Sequence, residues 1–144
     1  MGAICAAKAL AERDKEDADY PYLDDCQFTD HGLVCKRIRE TLATNLPILR
    51  HHSTTGYNCG YGGSGPADLA LAVMACALPL GKGDDGVKIF DQSKVSSLAY
   101  QLHLAFKFDF IAPMAHQGGH IPIKQIRAWI KAQKSGMEKM YGEN

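Results

Sequence analysis

Four glycines fall within six positions, Gly60, Gly62, Gly63 and Gly65, and Pro66 with an Ala/Leu run follows at once. Glycine adopts positive φ and permits close backbone approach, at a cost of about 0.5–1 kcal/mol against alanine in a regular element. A chain that keeps four so close together needs an unusual backbone path, or room beside the backbone for something else. Pro66 suits the first turn of a helix, where its missing N–H has no partner to lose. The stretch Cys59–Ala72 therefore predicts a glycine loop feeding a helix from Pro66 to Leu78. That helix is apolar nearly all round (Leu69, Leu71, Val73, Met74, Leu78), which predicts the buried centre of the fold. Asp68 falls in the expected first turn, where a carboxylate suits the helix dipole and can bond back to a capping group.

The flanking patterns predict an α+β domain: a small antiparallel sheet from residues near 26–60 packed against about three helices, with an extra N-terminal helix. Ala3–Arg13 is alanine-rich with Ile4, Ala7, Leu10 and Ala11 at helical spacing. Residues 14–25 follow as an acidic connection, giving an expected division into 1–25, a single domain over 26–134, and a frayed tail over 135–144. Cys26–Phe28 and Leu33–Cys35 flank Thr29-Asp30-His31-Gly32, a hairpin signal with Gly32 at the left-handed position. One register of that hairpin sets Cys26 opposite Cys35, where a disulfide is geometrically conceivable, and the other pairs Gln27 with Cys35. Leu46–Leu49 reads as a short strand, with Pro47 forcing it toward an edge or a strand start. Residues 81–86 read as a mobile charged loop. Ser93 is placed to cap a third helix carrying Val95, Leu98, Ala99, Leu102, Ala105 and Phe106. Residues 108–112 either extend that helix or form a strand, and 113–119 read as a loop. Pro122 opens a last helix with Ile123, Ile126, Trp129 and Ile130 on one face and Lys124, Arg127 and Lys131 facing water.

A length of 144 residues suffices for one core, and 46% hydrophobic with 22% charged residues fits an ordinary globular chain. Sixteen basic and sixteen acidic residues cancel, so no global field draws the chain onto nucleic acid or an anionic membrane. Direct nucleic-acid binding is therefore not expected, although residues 14–25 offer a local acidic patch. The apolar run Leu69–Leu80 is too short to span a bilayer, and Met1–Leu10 lacks the charged start of a signal peptide. Five cysteines without CxxC spacing predict reduced thiols in a cytoplasmic setting.

Three kinds of site are conceivable. The glycine loop and the helix start (Gly60, Tyr61, Gly62, Gly63, Ser64, Gly65), with His52 nearby, offer N–H groups for a phosphate or carboxylate. The spacing matches neither a P-loop nor a dinucleotide fingerprint. The competing structural reading is that the glycines let Tyr61 and the segment before it pack tightly on the helix. Metal ligation would draw on His51, His52 and Cys59, or on His116 and His120, but Gln117-Gly118-Gly119 argues against a helix under the latter pair. Exposed loop histidines are the simpler reading, and no metal or other cofactor is expected. Nucleophilic catalysis would use Cys59 or Ser64 with His51 or His52 as base, yet no nucleophile motif is present. No catalytic residue is assigned, and a non-enzyme is expected. Tyr20, Tyr22, Asp24 and Asp25 form a candidate partner-binding segment.

The run from His52 to Ala72, with its Gly-Tyr-Gly-Gly-Ser-Gly-Pro-Ala core, resembles an uncharacterised domain family of phages, plasmids and bacterial genomes. Members typically show a His-Ser-x-x-Gly-aromatic approach, the glycine loop, an alanine/leucine helix and a closing Ile-x-x-Trp helix, here Ile126-Arg127-Ala128-Trp129. The resemblance covers residues 46–131. Cys59 departs from it, since an aromatic is more usual there, and the N-terminal forty residues look private to this chain. The family brings no chemistry with it. By analogy, an added segment on a mobile-element domain implies a recruited binding role. The expectation is a small phage-type protein that inhibits bacterial immunity, such as a CRISPR effector complex, by protein–protein contact in the host cytoplasm. The alternative is an anion- or nucleotide-binding module centred on the glycine loop.

Overall fold

A computed structural model describes residues 28–141. The expected N-terminal helix, the acidic connection with Tyr20, Tyr22, Asp24 and Asp25, and Cys26 lie outside the described residues. The class is α+β, as the patterns predict. Among the described residues the elements run α1 (Phe28–His31), β1 (Leu33–Ile38), β2 (Thr41–Thr44), α2 (Ser64–Ala77), β3 (Val87–Lys88), β4 (Lys94–Val95), α3 (Ser97–Phe106), β5 (Gly118–Ile121) and α4 (Ile123–Tyr141). A three-stranded antiparallel sheet has the order β2–β1–β5, and β3–β4 form a separate ribbon.

The helix after the glycine loop is where the pattern places it. Every residue from Gly65 to Met74 is buried, so α2 is the axis on which the rest packs. Leu33, Cys35, Leu46, Phe106, Ile111, Ile126 and Ile130 close around Leu69, Val73 and Met74. On the opposite flank Leu71 joins Ile89 and Val95 in a smaller cluster beneath the ribbon. In α4, Ile126 and Ile130 face this core while Lys124, Arg127 and Lys131 are exposed. The helix runs on to Tyr141, past Ser135, where the pattern places the start of a tail. Among the described residues no helix is long and apolar enough to cross a membrane.

The sheet departs from expectation in three places. Phe28–His31 is a helical turn, not the arm of a hairpin; Gly32 ends it at φ +85 with its N–H on the Phe28 carbonyl at 2.8 Å. The hairpin lies one step later, joining Leu33–Ile38 to Thr41–Thr44 through Arg39 (φ 58) and Glu40. Cys35 therefore pairs with Thr44 and Gly119 inside the sheet as a buried free thiol. Leu46–Leu49 is irregular, because Asn45 ends β2 by turning inward. Its fully buried amide accepts from the Val34 N–H and donates to the Gly32 carbonyl, both at 2.9 Å. The third strand comes from Gly118–Ile121, whose first two residues, both glycine, close the stretch 113–119 that reads as a loop. At Gly118 (φ +108) a Cβ would stand 2.3 Å from the Cys35 carbonyl oxygen, so the absence of a side chain lets this strand reach β1.

Ser96, not Ser93, caps α3: its hydroxyl accepts from the Ala99 N–H at 3.1 Å and donates to the Leu78 carbonyl at 2.7 Å. Residues 107–111 extend this helix as a widened π turn, with the Ala112 N–H on the Lys107 carbonyl at 2.8 Å. Such turns re-aim side chains locally. Here the turn sets Lys107 beneath the glycine loop.

Candidate functional site

Asp68 is the anchor of the site. Its carboxylate is almost wholly buried in α2, past the first turn, and caps nothing in its own helix. One oxygen accepts from the backbone N–H groups of His51 (3.1 Å) and Ser53 (2.9 Å), and the other from that of His52 (2.7 Å). Three backbone donors on one carboxylate explain how a segment without regular structure holds two adjacent imidazoles in place.

Those imidazoles meet α3. His51 Nδ1 accepts from the Phe90 N–H at 3.0 Å, which leaves Nε2 to face the Tyr100 hydroxyl at 3.0 Å. His52 Nε2 lies 3.0 Å from His103 Nε2. His103 Nδ1 faces the Tyr100 carbonyl, an acceptor, so that nitrogen carries a proton and Nε2 presents its lone pair. In the neutral pair His52 is then the donor. One added proton goes to His52 Nδ1 and leaves the shared proton between the rings, and a second brings like charges together. Both rings have pKa values below the ordinary range. For His52 the causes are desolvation and then the charges of His51 and Lys107, opposed by Asp68; for His103 they are desolvation and then His52 and His51, opposed by the Tyr100 hydrogen bond and by Asp68.

The folded protein thus refuses protons that the unfolded chain accepts near pH 6.5. Stability from this source is complete above that pH and lost below it, since the unfolded state then binds more protons. In metal-free buffer the melting temperature should fall between pH 7.5 and pH 5.5, and His52→Ala should flatten the fall. A wild-type profile as flat as the variant's would contradict this arrangement.

The glycine loop joins the cluster through Lys107. This side chain is 7% exposed, and its Nζ donates to the Gly62 carbonyl at 3.3 Å while lying 4.2 Å from the centre of the Phe108 ring. No carboxylate of the described residues forms an ion pair with it. Gly63 stands at the start of α2 in extended conformation, without a side-chain cap. Among the described residues Ser64 and Gly65 offer N–H groups that meet no acceptor, as the first turn of a helix leaves them.

The loop glycines divide by role. Gly65 is structural: a Cβ there would lie 2.8 Å from Asn58 Cβ and 2.9 Å from the Gly56 carbonyl oxygen, so it is the point of close packing. Gly60 takes φ +90 and donates to the Ile111 carbonyl at 3.1 Å. At Gly62 and Gly63 a Cβ would meet the rings of Phe108 and Tyr61, at 3.4 and 2.4 Å. Tyr61 is half exposed, with one side of its ring against Gly63 at the start of α2. The loop is therefore architecture at Gly65 and open surface at Gly62–Ser64.

Cys59 belongs elsewhere. Its buried thiol faces the Ala115 carbonyl at 3.4 Å and the Arg37 guanidinium at 3.9 Å, and burial raises its pKa against the pull of Arg37. His51 and His52 spend their ring contacts on Tyr100 and His103, so neither stands as a base beside Cys59 or Ser64. Among the described residues no three His, Cys, Asp or Glu converge on a metal position. His120 of β5 bonds the His31 carbonyl at the end of α1 at 2.8 Å.

Residues 28–98 match DUF6166, a family of unknown function. The DUF6166 segment contains β1, β2, His51, His52, the glycine loop, Asp68 and the first residues of α3. His103, Lys107 and the Ile126–Trp129 turn lie beyond it. No curated protein and no solved structure matches the chain.

Tyr100, His103 and Lys107 carry half of the site and escape a reading of local motifs. Their signal is their spacing: i, i+3 and i+7 set three polar groups on one face of a helix whose neighbours Leu102 and Phe106 are core.

Proposed function

We propose that this chain is a binding protein, not a catalyst, and that the open part of its glycine loop receives a phosphate or carboxylate group of a small molecule. One observation carries the reading: the largely buried Lys107 ammonium has the Gly62 carbonyl as its protein acceptor and no carboxylate beside it. A buried cation is costly unless its charge and its donors are met. An anion bound beside Gly62 and within reach of Nζ would meet them, together with the free N–H groups at the start of α2. The exposed rings of Tyr61 and Phe108 flank the same spot and offer stacking surface, which favours a nucleotide over a bare ion.

A second reading is protein–protein contact as a phage-type inhibitor of bacterial immunity, such as of a CRISPR effector complex. What favours it is the exposure of Phe90 (70%) and Phe108 (61%) at the two ends of the histidine cluster, since exposed aromatics are the usual anchors of interfaces. A thermal-shift series with pyrophosphate and nucleotides separates the two. The anion reading expects a rise in melting temperature that Lys107→Met or Gly63→Val abolishes in a folded protein. The partner reading expects no shift, and a stoichiometric complex with an immunity protein that Phe108→Ala weakens.

A further inference from the structure

We infer that the outer edge of β2 receives an extended peptide of a partner protein, which adds a strand to the sheet within the groove beside Thr41–Thr44. In the order β2–β1–β5, β2 has a neighbour on one side only. Which of its backbone groups face outward follows from β1. The Arg37 N–H donates to the Gln117 carbonyl at 2.9 Å, so Arg37 turns its backbone groups toward the β5 side and away from β2. Its cross-strand partner is Leu42, whose N–H and C=O therefore point away from β1, and those of Thr44, two residues on, do the same. Among the described residues these four groups meet no hydrogen-bond partner, although Leu42 and Thr44 are each only 6% exposed. Peptide groups of buried residues are rarely left unpaired.

A groove of about 390 Å³ runs along that edge. Successive residues of β2, which belong to opposite sheet faces, all line it, so it lies beside the strand and not over one face. Leu46 and Ile48 add apolar lining, and Ile48 is exposed. Residues 54–58 form the remaining wall and belong to the same chain, so the edge is reached through a slot. A slot suits a single extended segment better than the packed hairpin of a second copy. The chemistry also matches a strand. Leu42 and Thr44 offer donors and acceptors two residues apart, about 6.6–6.8 Å, the repeat at which a strand presents its own. Glu40 lines the groove at the hairpin end without an ion pair among the described residues. Charge complementarity therefore calls for Lys or Arg at that end of the peptide, with an apolar side chain against Ile48.

The test selects from a displayed library of random heptapeptides on the folded full chain, then titrates the synthesised peptides by calorimetry. One peptide per chain is expected. Affinity should fall about tenfold or more with Thr54→Trp, which fills the slot from an exposed position, and with N-methylation at alternate peptide residues. N-methylation at the intervening residues should leave binding intact, since those N–H groups face away from β2. Bound peptide should also slow hydrogen exchange at the Leu42 and Thr44 amides, which in the free chain should exchange ahead of those of Thr41 and Ala43. Failure to select any peptide that binds more tightly than about 1 mM, or selected peptides that all leave those two amides unchanged, overturns the inference. So does a dimer of the chain that Thr54→Trp dissociates, because the edge then belongs to a second copy. The anion reading is tested separately, because Lys107→Met should abolish anion binding and leave peptide affinity intact.

Discussion

Gly118→Ala should cost roughly 3–5 kcal/mol, which for a chain of this size lowers the melting temperature by about 10–15 °C. Two effects combine. The position holds φ +108, a conformation L residues rarely adopt, and the new methyl would stand 2.3 Å from the Cys35 carbonyl oxygen. Neither neighbour can yield cheaply, because Cys35 is the centre of β1 and bonds strands on both sides. Folded domains keep only about 5–15 kcal/mol in hand, so the variant should sit near the edge of folding at 37 °C. Chemical denaturation of the variant against wild type measures the loss. A change under about 1 kcal/mol would mean that β5 does not depend on the close approach seen here.

Asp68→Ala should be comparably damaging, at roughly 3–5 kcal/mol, and its damage should reach the site. Removing the carboxylate leaves the N–H groups of His51, His52 and Ser53 without their acceptor, two of them bonded at 2.9 Å or less. Asp68→Asn should fall between wild type and alanine. Its amide oxygen can replace the oxygen shared by His51 and Ser53, while its NH₂ then opposes the His52 N–H. The imidazole signals of His52 and His103 in an NMR spectrum should lose their mutual dependence on pH in the alanine variant. If stability falls and the pair stays coupled, Asp68 supports the core without positioning the histidines.

The two variants show which parts of this molecule a sequence reveals. The central helix is legible because its cause is local: Pro66 sits in its first turn, two residues after the start at Ser64, and ten consecutive buried positions leave no polar face. The last helix is legible from its amphipathic spacing, which burial of Ile126 and Ile130 bears out. The sheet is not legible. Its third strand opens with two glycines, which local propensity assigns to a loop, and the reason they form a strand is Cys35, more than eighty residues upstream. Gly32 invites a turn reading that is correct for the residue and wrong for the element, since it stops a helix instead of joining two strands.

The site divides the same way. The glycine loop, His51 and His52 are close together in the chain and stand out. Asp68 reads as a dipole partner of its own helix, whereas its acceptors serve residues 15–17 positions earlier. His103 and Lys107 lie inside an apolar pattern that a search for helices absorbs as core. What joins them to the loop is the π turn at Lys107–Ile111, a feature without a residue signature. The loop itself divides: Gly65 packs, and Gly62 carries its carbonyl to the Lys107 ammonium.

That last division is what the functional account rests on, and amide chemical shifts test it most directly. Pyrophosphate titrated into ¹⁵N-labelled protein should move the amide signals of Gly62, Gly63, Ser64 and Gly65 together with that of Lys107, saturably, and Lys107→Met should abolish the movement. Shifts confined to the exposed lysines and arginine of α4, or none at all in the loop, would contradict the account.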